Sequence, residues 1–324
     1  MKTSSEKLKI ALAQISPVWF QKEQTLDKVI DYVKQAGQQD CELVVFGEAL
    51  VPGYPFWIEN TNGAKFNCDK QKAIQAEYAV QAVQIERGDL DALCQTADEF
   101  SIAIYLGIIE KPVERGGHSL YCSLVYINQR GEIQSVHRKL MPTYEERLSW
   151  SIGDGHGLVT HSLGDFTLGG LNCWENWMPL ARASLYAQGE DLHIAVWPGN
   201  LSNTVDITPV MAKEGRSYVM SVCGLMRPKD INTSSPEIAE LLQSSISSEN
   251  TFIAQGGSCI ANPDGSWLIE PQVGVEGLFT AELDPKFVRR ERHNFDPSGH
   301  YSRPDVLTLN VDRTRQKNVS FKDQ

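Results

Sequence analysis

Apolar residues along the chain switch repeatedly between a period of two and a period of 3.6, which predicts strands alternating with helices. Leu8 to Ile15 alternates apolar residues with Lys and Gln and stops at Pro17, a first strand. From Thr25 to Ala36, Leu26, Val29, Ile30 and Val33 share one helical face, and Gly37 closes it. Leu43-Val44-Val45-Phe46 is a short buried-type strand, followed by an aromatic, Pro-rich loop from Val51 to Trp57. After a polar segment to about Ala73, helical patterns run through Ile85 and from Asp89 to Phe100, and Ile102 to Ile109 is β in character. Leu120 to Ile127 and Ile133 to Val136 flank Gln129-Arg130-Gly131-Glu132 as a hairpin, and a second hairpin turns at Gly164-Asp165. It leads into a strand that ends at Cys173. A helix then opens at Pro179, carries Leu180, Ala183, Ser184 and Ala187, and stops at Gly189. A strand at Leu192 to Trp197, a helix near Thr208 to Arg216 and a strand at Tyr218 to Leu225 come next. Residues 229–250 read as a polar surface insertion with one short helix. Ser258 to Asn262 and Trp267 to Ile269 form a third hairpin, and the tail from Pro285 is charged and irregular.

Strands alternating with helices early and hairpins later imply an α/β fold of mixed sheets covered by helices. No Gly/Pro/Ser linker divides the chain, so a single domain over 1–324 is expected. The formal net charge is −11, from 30 Lys+Arg against 41 Asp+Glu. An acidic balance without a basic block argues against nucleic acid or an anionic membrane as partner. No stretch approaches the ~18 apolar residues of a membrane span. The polar start, Met1 to Lys7, runs straight into a strand, so no secretory signal is expected. Seven widely spaced cysteines with no C-x-x-C fit a reducing, cytoplasmic setting better than a disulfide framework or a zinc site.

Three residues stand out because each directly follows an apolar β run: Glu48, Lys139 and Cys173. Such positions line the crevice of α/β folds. Each also has an ordinary reading: a solvated loop carboxylate, a strand-end charge and a core thiol. Together they supply a base, a cation and a nucleophile, the set needed for covalent attack on an electrophilic carbon. Cys173 also precedes a helix N-terminus, where a thiolate is favoured. Rival arrangements are weaker. His193 lies mid-strand, His156 and His161 are five apart and match no helical zinc spacing, and no G-x-G-x-x-G, Walker loop or G-x-S-x-G is present. No metal or organic cofactor is implied.

These residues resemble the nitrilase superfamily of carbon–nitrogen hydrolases, from Lys9 to about Val306. Gly47-Glu48-Ala49 with Gly53-Tyr54-Pro55 is similar to the family's glutamate motif. His137-Arg138-Lys139-Leu140 with Pro142-Thr143, Glu146-Arg147, Trp150 and Gly153-Asp154-Gly155 is similar to its lysine motif. Asn172-Cys173-Trp174-Glu175-Asn176 with Pro179-Leu180, and the terminal Gly299-His300-Tyr301-Ser302-Arg303-Pro304-Asp305, resemble the nitrilase branch; amidase-like branches more often place Tyr and Asp after the cysteine.

The resemblance implies an α-β-β-α sandwich, with Glu48 as general base, Lys139 as charge stabiliser, Cys173 as nucleophile and Glu146 orienting the lysine and substrate. It implies conversion of a small-molecule nitrile to its carboxylic acid and ammonia through a thioimidate and a thioester on Cys173, without a cofactor. Homodimers extending into a spiral homo-oligomer are implied too, with the tail from about 285 and the insertions at 58–75 and 229–250 as candidate contacts. Tyr54, Trp57, Trp174, Pro198 and Gly199 are expected near the substrate, and the 51–60 loop is expected to act as a lid. Plain core packing is the competing expectation for Trp57. An amidase or carbamoylase would use the same triad, with Trp174-Glu175 the main feature against it. A non-catalytic binding protein on this fold would be expected to have lost one of the three groups.

Overall fold

The computed structural model describes residues 7–231, 233, 235–245, 252–317, 319 and 322. Met1 to Glu6, and the end of the second insertion at 246–250, lie outside the described residues. Strands β1 (Leu8–Gln14), β2 (Leu43–Phe46), β3 (Ala103–Glu110), β4 (Tyr121–Ile127) and β5 (Ile133–Arg138) form one sheet in that order. Strands β6 (His161–Leu163), β7 (Phe166–Asn172), β8 (Leu192–Trp197), β9 (Tyr218–Cys223), β10 (Leu225–Met226), β11 (Ala254–Ala261) and β12 (Trp267–Val273) form the other. A last strand, β13 (Gly277–Leu283), returns to the first sheet and pairs antiparallel with β1. Each sheet has a parallel centre, β1-β2-β3 and β7-β8-β9, flanked by antiparallel strands.

The helices are α1 (Lys22–Gln38), α2 (Trp57–Asn60), α3 (Asp69–Val80), α4 (Asp91–Phe100), α5 (Pro179–Tyr186), α6 (Leu201–Thr204), α7 (Ile207–Gly215), α8 (Pro236–Ser245) and α9 (Pro285–Asn294). Period-two alternation decides which face of β1 meets which layer. Ile10 and Leu12 point inward and pack with Val45, Leu168, Ile194 and Met220, so both sheets share one core. Ala11 and Ala13 point outward and meet Leu26, Val29 and Val33 of α1 and Leu93 of α4. On the other side, Ile207, Met211 and Ala212 of α7 cover Ala195 and Val219. The result is the α-β-β-α sandwich.

Several segments differ from the expectation drawn from spacing, among them β13, α2 and α6, which the sequence reading does not contain. The tail is not irregular from Pro285: it continues as α9, capped by the Asp284 carboxylate, which accepts from the Lys286 N–H. Only Pro285 and Val288 of that helix are buried, so its apolar signal is too sparse to read from sequence. The strand from Tyr218 breaks at Gly224, whose N–H bonds to the Trp197 carbonyl. Past α9 the chain lies back on its own fold: Arg315 pairs with Asp154 at 3.0 Å and donates to the Val136 carbonyl. No helix among the described residues is long and apolar enough to cross a membrane.

Candidate active site

Parallel β-strands deliver their following residues to one end of a sheet, and both sheets end at the same place. Glu48 lies two residues past β2, Lys139 directly after β5, and Cys173 directly after β7. Glu48 reaches across the seam, since its N–H bonds to the Trp197 carbonyl of the opposite sheet. Gly107 makes room for it: a Cβ there would lie 2.2 Å from the Gly47 carbonyl oxygen and 2.7 Å from the Glu48 Cα. Gly153 does the same for the lysine turn, where a Cβ would meet the Arg138 and Lys139 carbonyls at 2.3 and 2.6 Å.

The three chemical groups meet. Lys139 Nζ lies 2.9 Å from Glu48 Oε1 and 2.7 Å from Glu146 Oε2. An oxygen of Glu48, an oxygen of Glu146 and the Cys173 sulfur lie within 4.8 Å of one another. Such a trio could hold a cation, and the Lys139 ammonium already fills that place. Glu146 is fixed from three sides, accepting from Lys139 Nζ, from the Thr143 N–H and from the Tyr54 hydroxyl at 2.7 Å. Glu48 Oε2 has no partner among the described residues, which leaves it open to accept a proton.

One buried ammonium serves two carboxylates, and that imbalance sets the electrostatics. Burial raises the Glu48 pKa to about 7, with the Glu146 charge adding to the rise and Lys139 opposing it. Burial also pushes the Cys173 thiol well above its usual range, reinforced by Glu48 and opposed by Lys139 and the Trp174 N–H. For Lys139 burial works against the charge, yet Glu48, Cys173 and Glu146 hold it well above the ordinary lysine range. At rest the site therefore holds a thiol beside a base, not a free thiolate.

Cys173 sits on a strained turn with φ +46°, a left-handed conformation that costs an L-residue about 1–2 kcal/mol. The surroundings hold it there. Asn176 Nδ2 donates to the Cys173 carbonyl at 2.8 Å, and Asn176 Oδ1 is bonded to His193 Nε2 at 2.7 Å. His193 is in turn paired with Glu190 at 2.9 Å, so it is a buried brace. Glu175, not singled out from the sequence for any role in the site, ties the elbow to the lysine strand. It pairs with His137 Nε2 at 3.0 Å and accepts from the Asn172 and Leu140 N–H groups. Despite burial, His137 and these N–H groups keep its pKa below the usual carboxylate value. Its position after Trp174 in the cysteine motif was the available signal. Glu175→Ala should cost about 3–5 kcal/mol in urea unfolding, because it leaves a buried histidine and two N–H groups unpaired. A loss under about 1 kcal/mol would mean the clamp carries little.

A cavity of about 500 Å³ opens above the sulfur. Tyr54, Trp174, Pro198 and Gly199 line it with Glu146 and Cys173. Trp57 does not, which corrects the expectation for that residue. It is only 2% exposed and packs among Tyr78, Phe20 and Trp19 with ring centroids at 4.8, 5.5 and 6.0 Å. Its bulk serves an aromatic cluster that anchors α3, and Ile238 and Leu242 of α8 join the same cluster. The 51–60 loop is a wall, not a lid: Val51, Pro52, Gly53, Pro55, Trp57 and Ile58 are buried, and the Trp19 indole N–H bonds to the Tyr54 carbonyl. Residues not anticipated from sequence also line the cavity, among them Phe56, Glu59, Glu145 and Asn200.

Residues 9–292 match the family model described as carbon-nitrogen hydrolase. A protein from an unknown prokaryotic organism described as nitrilase 2 is 35% identical over 316 residues, covering 97% of this chain and 95% of that protein. An aliphatic nitrilase from Sinorhizobium fredii is 33% identical, covering 94% of this chain and 96% of the relative. Among solved structures, an amidase from Nesterenkonia sp. superposes with a TM-score of 0.63 at 18% identity, over 90% of this chain and 97% of that one, a likeness of fold. Full-length similarity to nitrilases, added to a thiol, a carboxylate and an ammonium meeting where two sheets end, means that this chain belongs to the carbon-nitrogen hydrolase family, on its nitrilase branch.

Proposed function

We propose that the protein hydrolyses an organic nitrile to its carboxylic acid and ammonia, with Cys173 as nucleophile. The observation that carries the reading is the meeting of the Cys173 sulfur, which lines the cavity, with the buried Glu48 carboxylate and Lys139 ammonium beside it. Glu48 takes the thiol proton as sulfur adds to the nitrile carbon, and the nitrogen gains a proton to give a thioimidate. Water, deprotonated by Glu48, adds to that carbon. The C–N bond breaks, ammonia leaves, and a thioester remains. A second water cleaves the thioester, freeing the acid and the thiol. Lys139 and the Trp174 N–H stabilise the negative charge that develops in the adducts. Glu146 holds Lys139 and, through Tyr54, the cavity wall.

The test is product analysis on a panel of short aliphatic, aromatic and arylacetonitrile compounds. Release of ammonia with the acid supports the reading. Turnover of amides alone transfers the chemistry to the amidase alternative, which the fold also accommodates.

The Glu48 pKa gives this mechanism a pH signature. A base with its pKa at about 7 is protonated, and idle, below that value. The kcat/KM should therefore fall about tenfold per unit as pH drops below ~7, and level off above it. A profile flat down to pH ~5 would take the base role away from Glu48.

A homodimer extending into a spiral homo-oligomer is part of the same reading. Trp177, Leu180 and Val210 support it, since these apolar side chains are 46%, 67% and 54% exposed near the elbow and α7. Sedimentation velocity should give a species of at least two chains, and a monomer at micromolar concentration would remove this part. Seven free cysteines fit a cytoplasmic setting.

A further inference from the structure

The cavity is larger than a nitrile group needs, so most of it is left to the rest of the substrate. Its lining is charged in one sense only. Glu59, Glu145 and Glu146 are its ionisable lining residues other than Tyr54 and Cys173, and among the described lining residues there is no Lys, Arg or His. Glu146 is committed to Lys139, Tyr54 and Thr143. Glu59 and Glu145 are different: among the described residues neither side chain has a hydrogen bond or an ion pair, although each borders the cavity. Asn60, Asn200 and Asn203 add uncharged polar groups to the same lining. Lys139 is buried beneath the floor and already shared by Glu48 and Glu146. It cannot offset two further acidic residues on the same lining, Glu59 exposed and Glu145 half-buried.

We propose that Glu145 and Glu59 select nitriles whose far end carries a protonated amine, and that they discriminate against nitriles ending in a carboxylate. With the nitrile carbon at Cys173, the amine end would face these two side chains. A carboxylate there would meet like charge, and electrostatic mismatch of this kind sets specificity more than raw affinity. The product fits as well. Hydrolysis places a new carboxylate beside Glu48 and Glu146, where repulsion favours release. The inference rests on the nitrile-hydrolysing reading of the site.

The experiment compares three nitriles of matched length: γ-aminobutyronitrile, valeronitrile and γ-cyanobutyrate. At low ionic strength the kcat/KM of the aminonitrile should exceed that of valeronitrile about tenfold, and valeronitrile should exceed γ-cyanobutyrate by a similar factor. Salt should compress both ratios, because these charges lie near solvent. In a Glu59→Gln/Glu145→Gln protein the aminonitrile-to-valeronitrile ratio should fall toward one, and Glu145→Lys should raise γ-cyanobutyrate relative to the aminonitrile. A wild-type ratio at or below one, or a ratio unmoved by these variants, overturns the proposal. Should only the matching amides be turned over, the nitrile reading fails, and the charge preference is decided on γ-aminobutyramide against valeramide. If neither series is turned over, both readings fall.

Discussion

Alanine at Cys173 is expected to abolish ammonia release while leaving the fold intact. Removing a covalent nucleophile costs on the order of 10⁴–10⁶-fold in kcat, because the remaining groups can only bind and polarise. Stability should change little. The deleted atom borders a cavity, so its loss creates no sealed void, and a small buried truncation costs roughly 1 kcal/mol. Alanine also inherits the same left-handed φ of +46°, so the strain of the elbow is unchanged. Thermal unfolding should therefore match the parent protein. In the parent, intact mass after iodoacetamide treatment should show one modification that substrate suppresses and that the variant lacks. A Cys173→Ala protein keeping more than about a tenth of its turnover would move the nucleophile elsewhere.

Lys139→Met should be the second large effect, and it should strike activity and stability together. Methionine fills similar space without charge. Glu48 and Glu146 would then be left as two buried carboxylates within 4.8 Å of each other, with no cation between them. Breaking a buried ion pair from one side costs about 3–5 kcal/mol. The kcat should fall by at least about 100-fold, as for the loss of a group that stabilises developing charge.

The stability deficit has a defined pH dependence. Lys139 lowers the Glu48 pKa in the native protein, so its removal raises a value that already stands at about 7. A carboxylate with a raised folded pKa binds its proton more tightly folded than unfolded. Stability is then lost as pH rises through the folded value and recovered as pH falls below it. Urea unfolding should accordingly show a larger gap between variant and parent at pH ~8 than at pH ~6. An equal gap at both would mean the two carboxylates are not the source of the instability.

Much of the site was legible because each chemical residue follows an apolar β run. Leu43-Val44-Val45-Phe46 delivers Glu48, the second hairpin arm delivers Lys139, and Leu168 to Asn172 delivers Cys173. Strand ends are local features, readable from spacing alone. Tyr54, Trp174, Pro198 and Gly199 were expected near the substrate, and they line the cavity. Trp57 was expected there as well, yet a tryptophan beside a glycine- and proline-rich loop looks the same whether it faces ligand or core. What separates them is the aromatic cluster of Trp19, Phe20 and Tyr78, drawn from segments up to about forty residues away. The α9 helix went unread for the opposite reason: its buried face is two residues wide, and charge dominates the rest.

Composition, periodicity and motif order were enough to determine an acidic α/β chain with a base, an ammonium and a thiol at three strand ends. Only the folded arrangement decided how those groups share charge. Burial, with the Glu146 charge beside it and only one lysine to oppose it, lifts Glu48 to about 7, and the Glu175–His137 pair braces the cysteine elbow against the lysine strand. The reason is physical: secondary structure follows from neighbours a few residues apart, whereas desolvation and Coulomb interactions depend on distances through space. Those distances exist only once the two sheets have closed on their common core.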